Sequence, residues 1–232
     1  MRAMIFGLSV LVGCDPGSLT TDTGDGQTNP GTNDIYAIGD SIMAWNGEEG
    51  SAIPDIVGQE RGQRAINASI GGTMITDFPQ EPERSILNQY TDGDWSWLVM
   101  DGGGNDLNDL CGCGDCDAVM DSMISADGSR GRLPGFVGPL ASSGIRVAFM
   151  GYPELPDGAA FGFNRCDDVF AELDARIERM AAFDERIIFV DMAEVITASD
   201  LEMFVDDRVH PSAQGSAVMG RHLAQAMDAA EP

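Results

Sequence analysis

Lysine is absent from this chain. All 13 basic residues among its 232 are arginine, against 38 aspartates and glutamates, for a formal net charge of -25. A surface this acidic repels nucleic acid and anionic lipid headgroups, which argues against binding driven by phosphate contacts. It implies a heavily hydrated surface, with a specific cationic partner as the alternative. Histidine is nearly absent too. His210 and His222 are the only two, so candidates for a general base near neutral pH are few. The N-terminal apolar run Met4–Val12 falls far short of the ~20 residues a helix needs to cross a bilayer. What remains is globular: 43% hydrophobic and 22% charged residues, in a length that suits one domain with a substantial core.

The N-terminus reads as a targeting segment. Met1-Arg2 supplies a positive start, the apolar run follows, and Leu11-Val12-Gly13-Cys14 closes it. Small residues and then a cysteine resemble a lipoprotein signal cleaved before an acylated cysteine; an ordinary secretory signal is the alternative. Residues 1–13 are then signal peptide, with Cys14 the lipidation site. Residues 14–33 hold the anchor cysteine and a flexible linker rich in Gly, Thr, Asp and Pro, and 34–232 form the folded domain. The expected location is the cell envelope, with membrane contact only through the lipid.

From residue 34 short apolar strands alternate with helical stretches. Strands are expected at 34–38, 64–68, 95–100, 145–150 and 186–190, and helices at 53–61, 83–90, 116–125, 133–142, 167–182 and 212–229. In the 167–182 stretch, Val169, Phe170, Leu173, Ile177 and Met180 share one face. Five such strands separated by helices argue for a parallel sheet covered on both faces, with the functional site at the carboxyl ends of the strands. No internal repeat or second domain is evident.

The candidate chemistry falls at those ends. Ser41 follows the first strand, Gly71-Gly72 the second and Asn105 the third, while Asp207 and His210 follow the fifth. A serine, a histidine and a carboxylate three residues before it are the parts that make a hydroxyl nucleophilic. His222 on the closing helix reads as structural, and Asp206 competes with Asp207 for the carboxylate position.

Four blocks in order, Gly39-Asp40-Ser41, Asn67-Ala68-Ser69-Ile70-Gly71-Gly72-Thr73, Gly103-Gly104-Asn105-Asp106 and Asp207-Arg208-Val209-His210-Pro211-Ser212, resemble those of the SGNH hydrolases, also called GDSL lipases and esterases. They span nearly all of the folded region. The resemblance implies a flavodoxin-like three-layer α/β/α sandwich with a five-stranded parallel sheet. It implies Ser41 as nucleophile, His210 as base and Asp207 as its orienting carboxylate. It also implies an oxyanion hole from the Ser41 and Gly72 backbone N–H groups and the Asn105 amide. Gly71 is the alternative to Gly72, and Asp106 is expected to brace its loop. No metal or organic cofactor is needed for that chemistry.

The cysteines depart from the common family pattern. With Cys14 set aside, Cys111, Cys113, Cys116 and Cys166 remain. In an exported protein they suggest two disulfides, with a bond from the cluster to Cys166 plausible; a zinc site and free thiols are the alternatives. Tyr152-Pro153 and Phe161–Phe163 either line an acyl or aryl pocket or pack as a hydrophobic loop. The expected activity is hydrolysis of short-chain acyl or acetyl esters. Alternatives are a polysaccharide or cell-wall O-acetyl esterase, a lysophospholipase or thioesterase, and a non-catalytic envelope-binding protein. The expected partner is a small-molecule, glycan or lipid ester, and not nucleic acid.

Overall fold

The computed structural model describes residues 34–231. The signal segment, Cys14 and the linker lie outside the described residues. β1 (Asp34–Ile38) is buried along its whole length. Its alternation is lost because helices cover both faces of a parallel sheet. The short α1 (Ser41–Ala44) follows at once, and α2 (Ile53–Arg61) has Pro54 in its first turn and Gly62 beyond its end at φ 62°. β2 (Ala65–Asn67) and β3 (Trp95–Met100) come next, then α3 (Gly104–Cys111), α4 (Asp117–Met123) and α5 (Arg132–Ser142). β4 (Arg146–Met150), α6 (Asp167–Ala181), β5 (Ile187–Val190) and α7 (Ala213–Ala230) complete the chain.

The five strands form one all-parallel sheet in the order β2-β1-β3-β4-β5. The chain steps from β1 to β2 in one direction and from β3 through β4 to β5 in the other. Right-handed crossovers therefore put α2 on one face and α5 and α6 on the other. α7 packs along α2, while α5 lies on β4 and α6 on β5. The result is the expected three-layer sandwich. On α6 the buried face holds Phe170, Leu173, Ile177 and Met180, with Arg176 buried beside them and paired to Glu172 and Asp121.

Two elements differ from the sequence reading. The stretch 83–90 is not one helix but two 3-10 turns, Pro82–Arg84 and Ile86–Gln89, split by Ser85 in extended conformation at φ -92°, ψ 124°. Its backbone pairs with Met74 instead: Met74 N donates to Arg84 O at 2.9 Å, and Ile86 N donates to Met74 O at 2.8 Å. Conversely α3 forms where the sequence reading expects no helix. The Tyr152 hydroxyl accepts from Gly104 N at 3.0 Å, and Gly112 closes the other end at φ 61°.

The order places a topological switch point between β1 and β3, where chain leaves the sheet in opposite directions and opens a crevice at the carboxyl edge. Ser41 leaves β1 and Asn105 leaves β3 on either side of that crevice.

Candidate active site

Ser41 opens α1 directly after a tightly held turn. A Cβ on Gly39 would lie 1.9 Å from Asp101 Oδ1, so only glycine fits there. Gln89 grips the same residue from both sides: Gly39 N donates to Gln89 Oε1 at 2.8 Å, and Gln89 Nε2 donates to Gly39 O at 2.9 Å. Asp40 N donates to Asp101 Oδ1 at 2.8 Å, and Asp40 Oδ1 caps α1 by accepting from Ile42 N at 2.9 Å. The serine hydroxyl is thus carried on backbone with little freedom to shift.

The chain brings His210 to it from 169 positions away, with His210 Nε2 at 2.9 Å from Ser41 Oγ. On the far side of the ring, Nδ1 lies 2.7 Å from Asp207 Oδ2. Asp207 Oδ1 accepts from Val209 N at 2.9 Å and from His210 N at 3.0 Å, so one carboxylate fixes both the ring and the loop that bears it. Arg208 takes φ 58° to close that turn. Burial raises the Asp207 carboxyl, but the hydrogen bonds from the His210 side chain and the two backbone N–H groups outweigh it and hold it below the ordinary range. Trp45 stacks flat on the imidazole, with centroids 3.9 Å apart and planes within 9°. Asp206 is exposed and makes none of these contacts. His222 lies on α7, 3.1 Å from Asp191 O and away from this group.

The remaining predicted residues surround Ser41. A Cβ built on Gly71 would sit 3.5 Å from Ser41 Cβ, so Gly71 passes close by the serine, and Gly72 after it takes φ 76° in the left-handed region. Asn105 Nδ2 donates to Thr73 O at 2.9 Å, which ties the asparagine to the glycine segment and leaves its second amide hydrogen for another acceptor. Asp106 accepts from Ile75 N and Thr76 N, both at 2.8 Å, and from the Thr76 hydroxyl at 2.5 Å. That is the bracing role expected of it.

Behind the serine lies a buried polar chain that the sequence does not advertise. Tyr152 donates to Asp40 Oδ2 at 2.7 Å while accepting from Gly104 N, linking the serine turn to the helix that carries Asn105. Asp101 is fully buried, and its Oδ2 has no partner among the described residues. Burial, and then the charge of Asp40, push it well above the usual carboxylate range. Burial likewise raises Asp40, against hydrogen bonds from Tyr152 and Ile42, and raises the Tyr152 phenol. Nothing in the sequence local to Gln89, Asp101 or Trp45 marks a role.

A cavity of about 20 Å³ adjoins Ser41 and Asn105, with apolar walls from Ile42, Tyr152, Leu155, Phe163, Phe170 and Val209. Tyr152 and Phe163 therefore line a pocket, whereas Phe161 is 66% exposed and stands edge-on to His210 at 6.2 Å. The four cysteines are paired as Cys111–Cys116 and Cys113–Cys166, so their sulfurs are joined to one another rather than arranged around zinc.

Residues 37–218 match the family model described as GDSL-like lipase/acylhydrolase. The chain belongs to that family. This GDSL-like protein is an ester hydrolase by membership, and its fold recurs in solved structures. A carbohydrate acetylesterase from Sinorhizobium meliloti is 16% identical, with 85% of this chain and 99% of that one covered at a TM-score of 0.63. A GDSL-like lipase from Bacteroides thetaiotaomicron is 18% identical, covering 86% and 89% at 0.58. An acetyl xylan esterase is 18% identical, covering 83% and 98% at 0.58. At these identities the likeness is one of fold. No curated protein sequence matches the GDSL-like chain.

Proposed function

We propose that the protein is an exported serine esterase that removes acetyl or other short acyl groups from carboxylic esters, with a carbohydrate ester as the favoured substrate class. The observation that carries the catalytic reading is the unbroken line Asp207 Oδ2, His210 Nδ1, His210 Nε2, Ser41 Oγ, at 2.7 and 2.9 Å. Ser41 Oγ attacks the ester carbonyl carbon as His210 Nε2 takes its proton, and Asp207 stabilises the imidazolium. The carbonyl oxygen becomes an oxyanion, received by the Ser41 and Gly72 N–H groups and the Asn105 amide; losing one such donor costs roughly 100- to 1000-fold in rate. Collapse breaks the bond to the alcohol, which leaves with the proton from His210. Water, deprotonated by the same base, then releases the carboxylic acid and restores Ser41.

The acyl limit rests on the small cavity. At about 20 Å³ it holds one group of water or methyl size. The carbohydrate class is favoured because structures of this fold include a carbohydrate acetylesterase and an acetyl xylan esterase. Export through the 1–13 signal and anchoring at Cys14 fit disulfides that need an oxidising compartment. Among the described residues no helix is long and apolar enough to cross a membrane. The test is hydrolysis of para-nitrophenyl esters from acetyl to octanoyl. Turnover should be confined to acetyl and propionyl and lost in Ser41→Ala. Undiminished hydrolysis by that variant would overturn the nucleophile, and a preference for octanoyl would overturn the acyl limit.

A further inference from the structure

Beside the acyl cavity lies a second, far larger hollow. It is a cleft of about 660 Å³ between the loop after β4, the outer side of α6 and the end of β5. Tyr152, Leu155 and Phe170 line both spaces. The partition is therefore a single layer of side chains. Its members are well held: Phe170 stacks on Tyr152 with centroids 5.0 Å apart, and Leu155 is 8% exposed. Tyr152 is fixed by its two hydrogen bonds to Asp40 and Gly104.

We propose that Leu155 and Phe170 set the acyl-length limit of this enzyme by walling the Ser41 pocket off from the cleft, which would otherwise accept a medium acyl chain. The inference rests on the esterase reading above and assigns its specificity to two named side chains. The cleft has the volume for such a chain: it exceeds the Ser41 cavity by more than thirtyfold. Part of its lining is apolar, with Phe189, Ala171 and Ala175 joining the partition residues. Asp174 also faces it, its carboxyl pushed up to about 8 by burial and then by the charge of Asp191, and the other carboxylates of the lining are Asp191 and the exposed Glu154, Asp167, Asp168 and Glu178, so an apolar occupant would lie against the partition side. Tyr152 cannot be truncated without freeing Asp40. The side chains of Leu155 and Phe170 are hydrocarbon and cannot hydrogen-bond, so shortening them opens the wall and leaves the hydrogen-bonded chain in place.

The experiment compares the full chain with Leu155→Ala and, as a milder change, Phe170→Leu, after thermal melts show that each is folded. The ratio of kcat/KM for para-nitrophenyl hexanoate over acetate is measured. Each methylene buried is worth about fourfold in binding, so four more predict a rise in that ratio of at least about tenfold in either variant. Calorimetric titration with octanoate reads the same opening without turnover: the variants should bind it and the wild type should not. Folded variants with an unchanged ratio and no octanoate binding would overturn the wall. If no protein hydrolyses any ester, the esterase reading fails, and the octanoate titration still decides the wall by itself.

Discussion

Asp207 shows how much one side chain does at this site. Its Oδ1 organises the loop through two backbone N–H groups, and its Oδ2 receives the His210 ring. Asparagine keeps the size and one acceptor oxygen but can present an NH2 to Nδ1, which favours the wrong imidazole tautomer. Asp207→Asn should therefore lower kcat by about 10³- to 10⁴-fold with little change in KM or melting temperature. A loss confined to stability, with kcat kept, would show that Asp207 only braces the loop. Asp207, His210, Ser41 and Asn105 were legible because each sits in a short block of recognisable residues. Gln89, Asp101 and Trp45 were not. Gln89 reaches Gly39 across 50 positions and Asp101 reaches Asp40 across 61, while Trp45 covers a histidine near the far end of the chain. Such contacts exist only once the sheet has formed.

At the scale of elements, the strands were readable as short continuous apolar runs, and the longer helices by the period that burial imposes on them. α2 forms at the expected residues, and α6 and α7 differ from expectation by a residue at the ends. The failures lie where hydrogen bonding across the chain outweighs local preference. Ser85 is drawn into a bridge with Met74, and α3 gains a distant hydroxyl at its first residue. α3 is also stapled at its other end. Cys113, just beyond α3, is bonded to Cys166, the residue that precedes α6, across 53 positions, whereas Cys111–Cys116 spans 5. Loop closure predicts that the longer bond contributes more, about 4 kcal/mol. Replacing Cys113 and Cys166 with serine should lower the melting temperature by about 8–16 °C. Replacing Cys111 and Cys116 should lower it less. Equal melting temperatures for wild type and the Cys113/Cys166 variant would show that the loop-closure account does not hold here.

For the whole molecule, the order β2-β1-β3-β4-β5 matters more than any one strand. It makes β1 and β3 neighbours whose chains depart in opposite senses, which brings Ser41 and Asn105 to one crevice. The loop after β5 then supplies Asp207 and His210 from the same edge. Parallel strands at this spacing were legible, and so was the edge that bears the chemistry. The sizes of the two hollows were not, since they depend on how Tyr152, Leu155 and Phe170 pack together in three dimensions. The net charge of -25 bears on partners and solubility rather than on the reaction. The central claim is that one serine, activated by His210, forms the acyl-enzyme. A fluorophosphonate probe followed by intact-mass and peptide mapping tests it most directly. The account predicts a single adduct on Ser41 in the wild type and none in Ser41→Ala. An adduct on another residue, or equal labelling of the two proteins, would contradict it.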